Sequence, residues 1–244
     1  MRVDERTYDQ LRPCRIEPGF IKTALGSALI ETGGTRVICT ASAEERAPSW
    51  LSSGGWVTAD YVMLPGATAP RGRRDPGGRG KEITRLIGRA LRASVDLERL
   101  VDASGNPVSI VCDCDVIEAD GGTRTASITG AWVALSIAID KLRAQGRIAG
   151  DPRRAAVAAV SVGMVTPPAG GDAVAMLDLC YLEDSAAVVD LNVVRLASGG
   201  LVEVQGTGEH GDFSRKQLDA MLDLAEAGTD RLIALQTEAL GAVR

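Results

Sequence analysis

The run from Val108 to Leu142 constrains the fold more than any other part of the chain. Val108, Ile110, Cys112, Cys114 and Val116 alternate with Ser109, Val111, Asp113, Asp115 and Ile117. A period of two predicts a strand with two distinct faces. Asp120-Gly121-Gly122-Thr123-Arg124 follows. Then comes a strongly apolar run carrying Ile128, Trp132, Leu135, Ile139 and Leu142 at helical spacing. A strand that feeds an apolar helix through so tight a turn calls for a sizeable core. Aromatic residues are only 3% of the chain, so that core must be built from Val, Ile, Leu and Ala. The same scarcity argues against a sheet that stacks bases on aromatic rings.

The flanking segments read as follows. Residues 26–43 predict two strands joined by a Gly33-Gly34 turn, and Trp56–Met63 predicts another. Residues 65–80 hold five glycines, three prolines and four arginines and predict a loop. Glu82 to about Leu100 predicts a helix, with Glu82, Arg85, Arg89 and Arg92 on the side opposite Ile83, Leu86, Ile87, Ala90, Leu91 and Val95. That polar face suits solvent, RNA or a subunit partner. Ala156–Val165, Ala173–Tyr181, Ala186–Arg195 and Leu201–Gln205 predict strands. A capping box at Ser214 and Gln217 starts a helical tail, which Gly228 is expected to divide in two. The order is not a regular βα alternation. It predicts an α+β fold with mixed sheets and packed helices, as a single domain over residues 1–244.

Several classes fall away. No apolar run reaches the roughly 18–20 residues of a membrane span, and the N-terminus lacks the apolar segment of a signal peptide. A cytoplasmic protein is expected. The five cysteines (Cys14, Cys39, Cys112, Cys114, Cys180) form no CxxC motif and read as buried thiols. The one histidine, His210, sits in a glycine-rich loop without a nucleophile elbow upstream. There is no GxxxxGK[ST] and no strand-linked GxGxxG.

Charge is distributed unevenly. The net charge is −5, yet residues 71–92 carry Arg71, Arg73, Arg74, Arg79, Lys81, Arg85, Arg89 and Arg92 against Asp75 and Glu82, which is eight minus two, or +6. Such an island either meets phosphates or remains a solvated face. The Gly121-Gly122-Thr123-Arg124 junction suits an anion. Glycines let backbone N–H groups approach it, the helix start adds positive potential, Thr123 adds a hydroxyl and Arg124 a two-pronged donor. Asp178 and Asp184 bracket a bend, with Asp190 on the next strand. Carboxylates so gathered repel unless a cation such as Mg²⁺ joins them; a turn or capping role for Asp184 is the alternative. No protein nucleophile is evident, which suits a reaction whose nucleophile arrives with the substrate, as inorganic phosphate does.

These segments resemble the ribonuclease PH family over nearly the whole chain. The resemblance rests on Leu11-Arg12-Pro13, Gly55-Trp56-Val57-Thr58-Ala59-Asp60-Tyr61, Asp113-Cys114-Asp115-Val116-Ile117, Ala119 through Ala131, Glu183-Asp184-Ser185-Ala186-Ala187, Asp190-Leu191-Asn192 and Val202 through Thr207. It implies the ribonuclease PH-type fold (ribosomal protein S5 domain 2-like) and phosphate-dependent 3′→5′ trimming of tRNA precursors, a reversible nucleotidyl transfer. By the same resemblance, Gly122, Thr123, Arg124 and Arg79 bind phosphate. Asp178 and Asp184 hold a divalent cation such as Mg²⁺ and are catalytic together with Arg124. Arg71, Arg73, Arg74, Arg85 and Arg89 are expected to grip RNA with a single-stranded 3′ tail. The implied assembly is a homohexamer, a trimer of dimers. The chain departs from the family pattern at Gly66 and at Gly80-Lys81.

Overall fold

A computed structural model describes residues 2–44, 48–74 and 77–243. Asp75 of the basic island lies outside the described residues. The first sheet contains β1 (Cys14–Pro18), β2 (Gly26–Thr32), β3 (Thr35–Ala43), β4 (Trp56–Met63) and β5 (Ser109–Glu118), in the order β1-β2-β3-β5-β4. All pairs are antiparallel except β4 with β5. That parallel pair needs a crossover, and α1 (Gly77–Ala93) supplies it, packed on β4. The second sheet, wholly antiparallel, has the order β7-β6-β8-β9, from β6 (Val157–Val165), β7 (Val174–Leu177), β8 (Val189–Leu196) and β9 (Leu201–Gly208).

Between the sheets runs α2 (Thr123–Ala144), packed on β2 and β3 on one side and on β6 on the other. Sequence spacing predicts an apolar stripe here. The structure buries every residue from Thr125 to Ile139, because the helix has a sheet on each side. Every residue of β6 is buried for the same reason: one face meets α2 and the other meets α4 (Arg215–Gly241). The alternation along β5 holds, with Ile110, Cys112, Cys114 and Val116 at 0–1% exposure.

Three expectations are corrected. The basic helix starts at Gly77, five residues earlier than its apolar periodicity shows, so Arg79 sits in its first turn rather than ahead of it. The same helix stops at Ala93, and a short 3₁₀ turn follows at Leu97–Arg99. The strand expected over 173–181 ends at Leu177, and Tyr181–Asp184 forms a one-turn helix, α3. Gly228 does not divide the tail. It lies inside a continuous α4, where a Cβ would fall 2.7 Å from Leu177 Cδ1, so the glycine serves close packing of helix on strand. The Ser214–Gln217 capping box is present. Among the described residues no helix is long and apolar enough to cross a membrane.

Candidate active site

The site forms where the end of β5 and the start of α2 face the bend after β7. Gly121 and Gly122 both have left-handed backbones, at φ 72° and 64°. A Cβ on Gly121 would sit 2.7 Å from the Leu179 carbonyl, so only glycine lets this turn lie against the bend. Thr35 braces the turn from behind: its hydroxyl donates to the Gly121 carbonyl at 2.6 Å and accepts from the Asp120 N–H at 2.8 Å. Gly122 is the N-cap of α2. The first N–H groups of a helix have no intrahelical acceptor and present positive potential there.

One cleft of about 400 Å³ is lined by Gly121, Gly122, Thr123, Arg124, Arg79, Asp184 and Asp190, with Asn192 and Glu209 at its wall. The sequence-predicted phosphate ligands therefore share one space. Arg124 is held at 2.9 Å by Gln205 Oε1 on β9, with Glu82 at 3.6 Å, and Gln205 in turn donates to Glu82. Thr123 Oγ1 lies 2.8 Å from the Tyr61 hydroxyl. Burial pushes the Tyr61 phenol above its ordinary range, although its hydrogen bond to Thr123 pulls the other way.

Of the expected acidic pair, Asp184 lines the cleft and Asp178 does not. Asp178 is 3% exposed, at φ 54°, and both its oxygens are taken: Oδ1 by Arg12 Nη2 at 2.7 Å and Oδ2 by the Arg12 backbone N–H at 2.8 Å. Asp184 instead faces the cleft, and its neighbour there is Asp190 on β8. Burial raises the Asp184 carboxyl, offset in part by Arg79. Burial, then the Asp184 charge, pushes Asp190 up to about 6. Asp190 Oδ1 is buried without a hydrogen-bond partner among the described residues. Two facing carboxylates with an orphaned oxygen are a donor set that suits a hard cation. Among the described residues no three His, Cys, Asp or Glu side chains gather as ligands, so a cation here would draw its remaining oxygens from substrate and water.

The basic residues separate into groups. Arg73 and Arg74 line a second hollow of about 180 Å³ that shares Met63, Thr68 and Arg79 with the cleft. Arg71 is exposed on the same loop. Arg85 and Arg89 do not line the cleft; Arg89 forms a two-pronged ion pair with Glu203 at 2.8 Å. Arg92 leaves the polar face, with its guanidinium 4.4 Å from the Trp56 ring centre and a bond to the Val57 carbonyl. Sequence reasoning did not pick out Arg12 or Gln205 as site residues. Each nevertheless lies in a segment that carries the family resemblance, Leu11-Arg12-Pro13 and Val202 through Thr207, and that was the one signal for either.

The family described as "3′ exoribonuclease family, domain 1" matches residues 10–139, and its domain 2 matches residues 155–228. Ribonuclease PH of Bacillus pumilus is 52% identical, covering 100% of this chain and 99% of its own length. Ribonuclease PH of Corynebacterium glutamicum is 53% identical, covering 98% and 96%. In fold, the chain resembles a subunit of an Archaeoglobus fulgidus exosome with RNA bound to the active site (TM-score 0.80, 24% identity, 95% of this chain and 91% of that one). An archaeal exosome core subunit is similar at TM-score 0.76 and 22% identity, over 97% and 91%. Matched along its length by both halves of the family and half identical end to end to such relatives, the chain belongs to the ribonuclease PH branch of the 3′ exoribonucleases.

Proposed function

We propose that Gly122, Thr123, Arg124 and Arg79 gather inorganic phosphate in this cleft, and that Asp184 and Asp190 form the acidic wall opposite. The activity is that of a phosphate-dependent 3′→5′ exoribonuclease acting in tRNA processing. The convergence of an anion-binding helix start, two arginines and two cleft-facing carboxylates in one space carries the residue assignment.

Phosphate oxygen attacks the last phosphodiester, the bond to the preceding 3′ oxygen breaks, and a nucleoside 5′-diphosphate leaves. Arg124 and the N–H groups at the start of α2 orient the nucleophile and balance its charge. Asp184 and Asp190 would hold a divalent cation, Mg²⁺ or similar, and Asp178 supports them from behind. When bound, the cation supplies positive charge to the phosphorus oxygens and the leaving oxygen. The bond exchanged is similar on both sides, so the reaction runs backwards when diphosphates are abundant. We read residues 1–244 as one working unit, because the cleft draws on both matched segments. A homohexameric ring, a trimer of dimers, and a cytoplasmic location complete the proposal.

The test is incubation with a tRNA bearing a 3′ extension, with and without phosphate. Nucleoside diphosphates formed only with phosphate are expected. Monophosphates formed without it would mark a hydrolytic nuclease, and no product would mark a silent ring subunit that binds RNA.

Grip is separable from chemistry. Arg71, Arg73 and Arg74 lie on a glycine- and proline-rich loop beside the cleft and can contact phosphates without reading sequence. Changing all three to alanine is expected to weaken binding of single-stranded 3′ tails of any sequence. It should also flatten the salt dependence by roughly 0.7 in log–log slope per lost contact. Turnover at saturating RNA changes much less. Size-exclusion chromatography run alongside identifies a subunit contact instead. An intact assembly with an unchanged slope would make these arginines merely solvated.

A further inference from the structure

We infer that Arg12 is a positioning residue for phosphorolysis, a single buried cation that ties the phosphate turn to the acidic bend. The inference rests on the reading of turn and bend given above. Arg12 stands ahead of β1, far from both loops in sequence, and is 4% exposed. Its Nη1 donates to the carbonyl of Asp120, where the chain enters Gly121-Gly122, at 2.5 Å. Its Nη2 and its backbone N–H take the two oxygens of Asp178 at 2.7 and 2.8 Å. A Cβ on Gly122 would lie 2.9 Å from Arg12 Nη2, so the guanidinium is packed directly behind the proposed phosphate ligands.

Three features distinguish this arrangement from an ordinary buried ion pair. The first is its location: both partners of Arg12 are loop residues adjoining the cleft, not residues of strand or helix. The second is Asp178 itself, a non-glycine residue at φ 54° at the point where the chain turns toward α3 and Asp184. That conformation is costly and persists only where its surroundings enforce it. Arg2 enforces it through the Leu177 and Asp178 carbonyls at 2.6 and 3.0 Å, and Arg6 through the Asp178 carbonyl at 3.1 Å. Arg2 also pairs with the buried Glu183, one residue before Asp184. The third is the Nε of Arg12, a buried donor with no partner among the described residues. The side chain is placed to satisfy the two loops and not itself.

Burial opposes the Arg12 charge, but attraction and hydrogen bonding to Asp178, joined by Asp120, together outweigh it and hold the guanidinium above its ordinary value. Asp178 thereby acts through Arg12, and its negative charge is neutralised before it can repel incoming phosphate. Both walls of the cleft are referenced to one guanidinium, so a change there moves phosphate relative to Asp184 and Asp190.

The test uses the full chain and the variants Arg12→Lys, Asp178→Asn and the two combined. Inorganic phosphate binding is followed by isothermal titration without RNA. Kinetics follow on a 3′-tailed RNA, with circular dichroism and size-exclusion chromatography as controls. Lysine keeps the charge but cannot span both loops. Arg12→Lys is expected to stay folded, to weaken phosphate binding and lower kcat each by about tenfold, and to leave RNA affinity unchanged, since small misplacements of reacting groups cost one to two orders of magnitude. Asp178→Asn is expected to do the same without moving the half-saturating Mg²⁺ concentration, and the double variant to be no worse than the poorer single one.

Wild-type phosphate binding and kcat in Arg12→Lys would overturn the inference. So would an Asp178→Asn variant that demands about tenfold more Mg²⁺ and adds independently to Arg12→Lys, because Asp178 would then be a cation ligand. Loss of folding in both single variants would also overturn it, by making the pair a stability element. A wild-type chain that binds phosphate yet releases monophosphates would sink the phosphorolysis reading alone, since the phosphate titrations still report on Arg12.

Discussion

Arg124→Ala is expected to lower phosphorolysis at limiting phosphate by about a hundredfold or more, with the fold intact. Hydrogen bonds to charged groups contribute roughly 1.5–3 kcal/mol each, and a guanidinium can offer a phosphate two of them. Each 1.4 kcal/mol is about tenfold in rate. The protein itself loses little. Arg124 touches Gln205 and Glu82, which remain bonded to each other at 2.8 Å when it is gone. The helix it opens is held by the buried residues 125–139, which the change leaves alone. The loss should appear chiefly in KM for phosphate, with a smaller fall in kcat. Kinetics across a phosphate series, beside a thermal melt, check this. Unchanged KM for phosphate in a folded variant would remove Arg124 from the phosphate site.

Asp184→Asn is expected to cost turnover about a hundredfold or more while RNA binding holds or strengthens. The amide keeps the shape and withdraws the charge that a divalent cation needs. A metal ion is worth several kcal/mol of charge stabilisation in phosphoryl chemistry, and its loss reaches that range. RNA affinity should not fall, because one negative charge beside the phosphate path disappears. Asp190 also loses the neighbour that, after burial itself, raises its carboxyl. A pulldown on 3′-tailed RNA together with a Mg²⁺ titration of activity separates grip from chemistry. Normal turnover of this variant at ordinary Mg²⁺ would refute the role of Asp184.

The Gly121–Arg124 turn between strand and helix was legible in the sequence because it is local. Gly121 through Arg124 lie on consecutive residues, and the strand before them and the helix after them each announce themselves by periodicity. The β2–β3 hairpin and the Ser214 cap were readable on the same ground. Element ends were harder. The first turn of α1 is glycine and arginine with no apolar period, so its start at Gly77 left no hydrophobic trace. Gly228 signals a break by propensity, and packing against Leu177 overrules it.

The acidic residues show where local reading stops. By itself, the sequence determined that Asp178, Asp184 and Asp190 fall around one bend, and that a Gly-Gly-Thr-Arg turn and a basic loop lie in the same chain. Only the tertiary structure decided which carboxylates face the cleft. That choice depends on a left-handed backbone at Asp178 and on an arginine 166 positions away in sequence that claims its carboxylate. Likewise Arg89 meets Glu203 and Arg92 meets Trp56, partners from other elements that no helical period can foresee. Periodicity and turn chemistry act over a few residues and can be read from a chain. Burial and ion pairing depend on which distant segments are brought together, and they assign each charged side chain to structure or to the site.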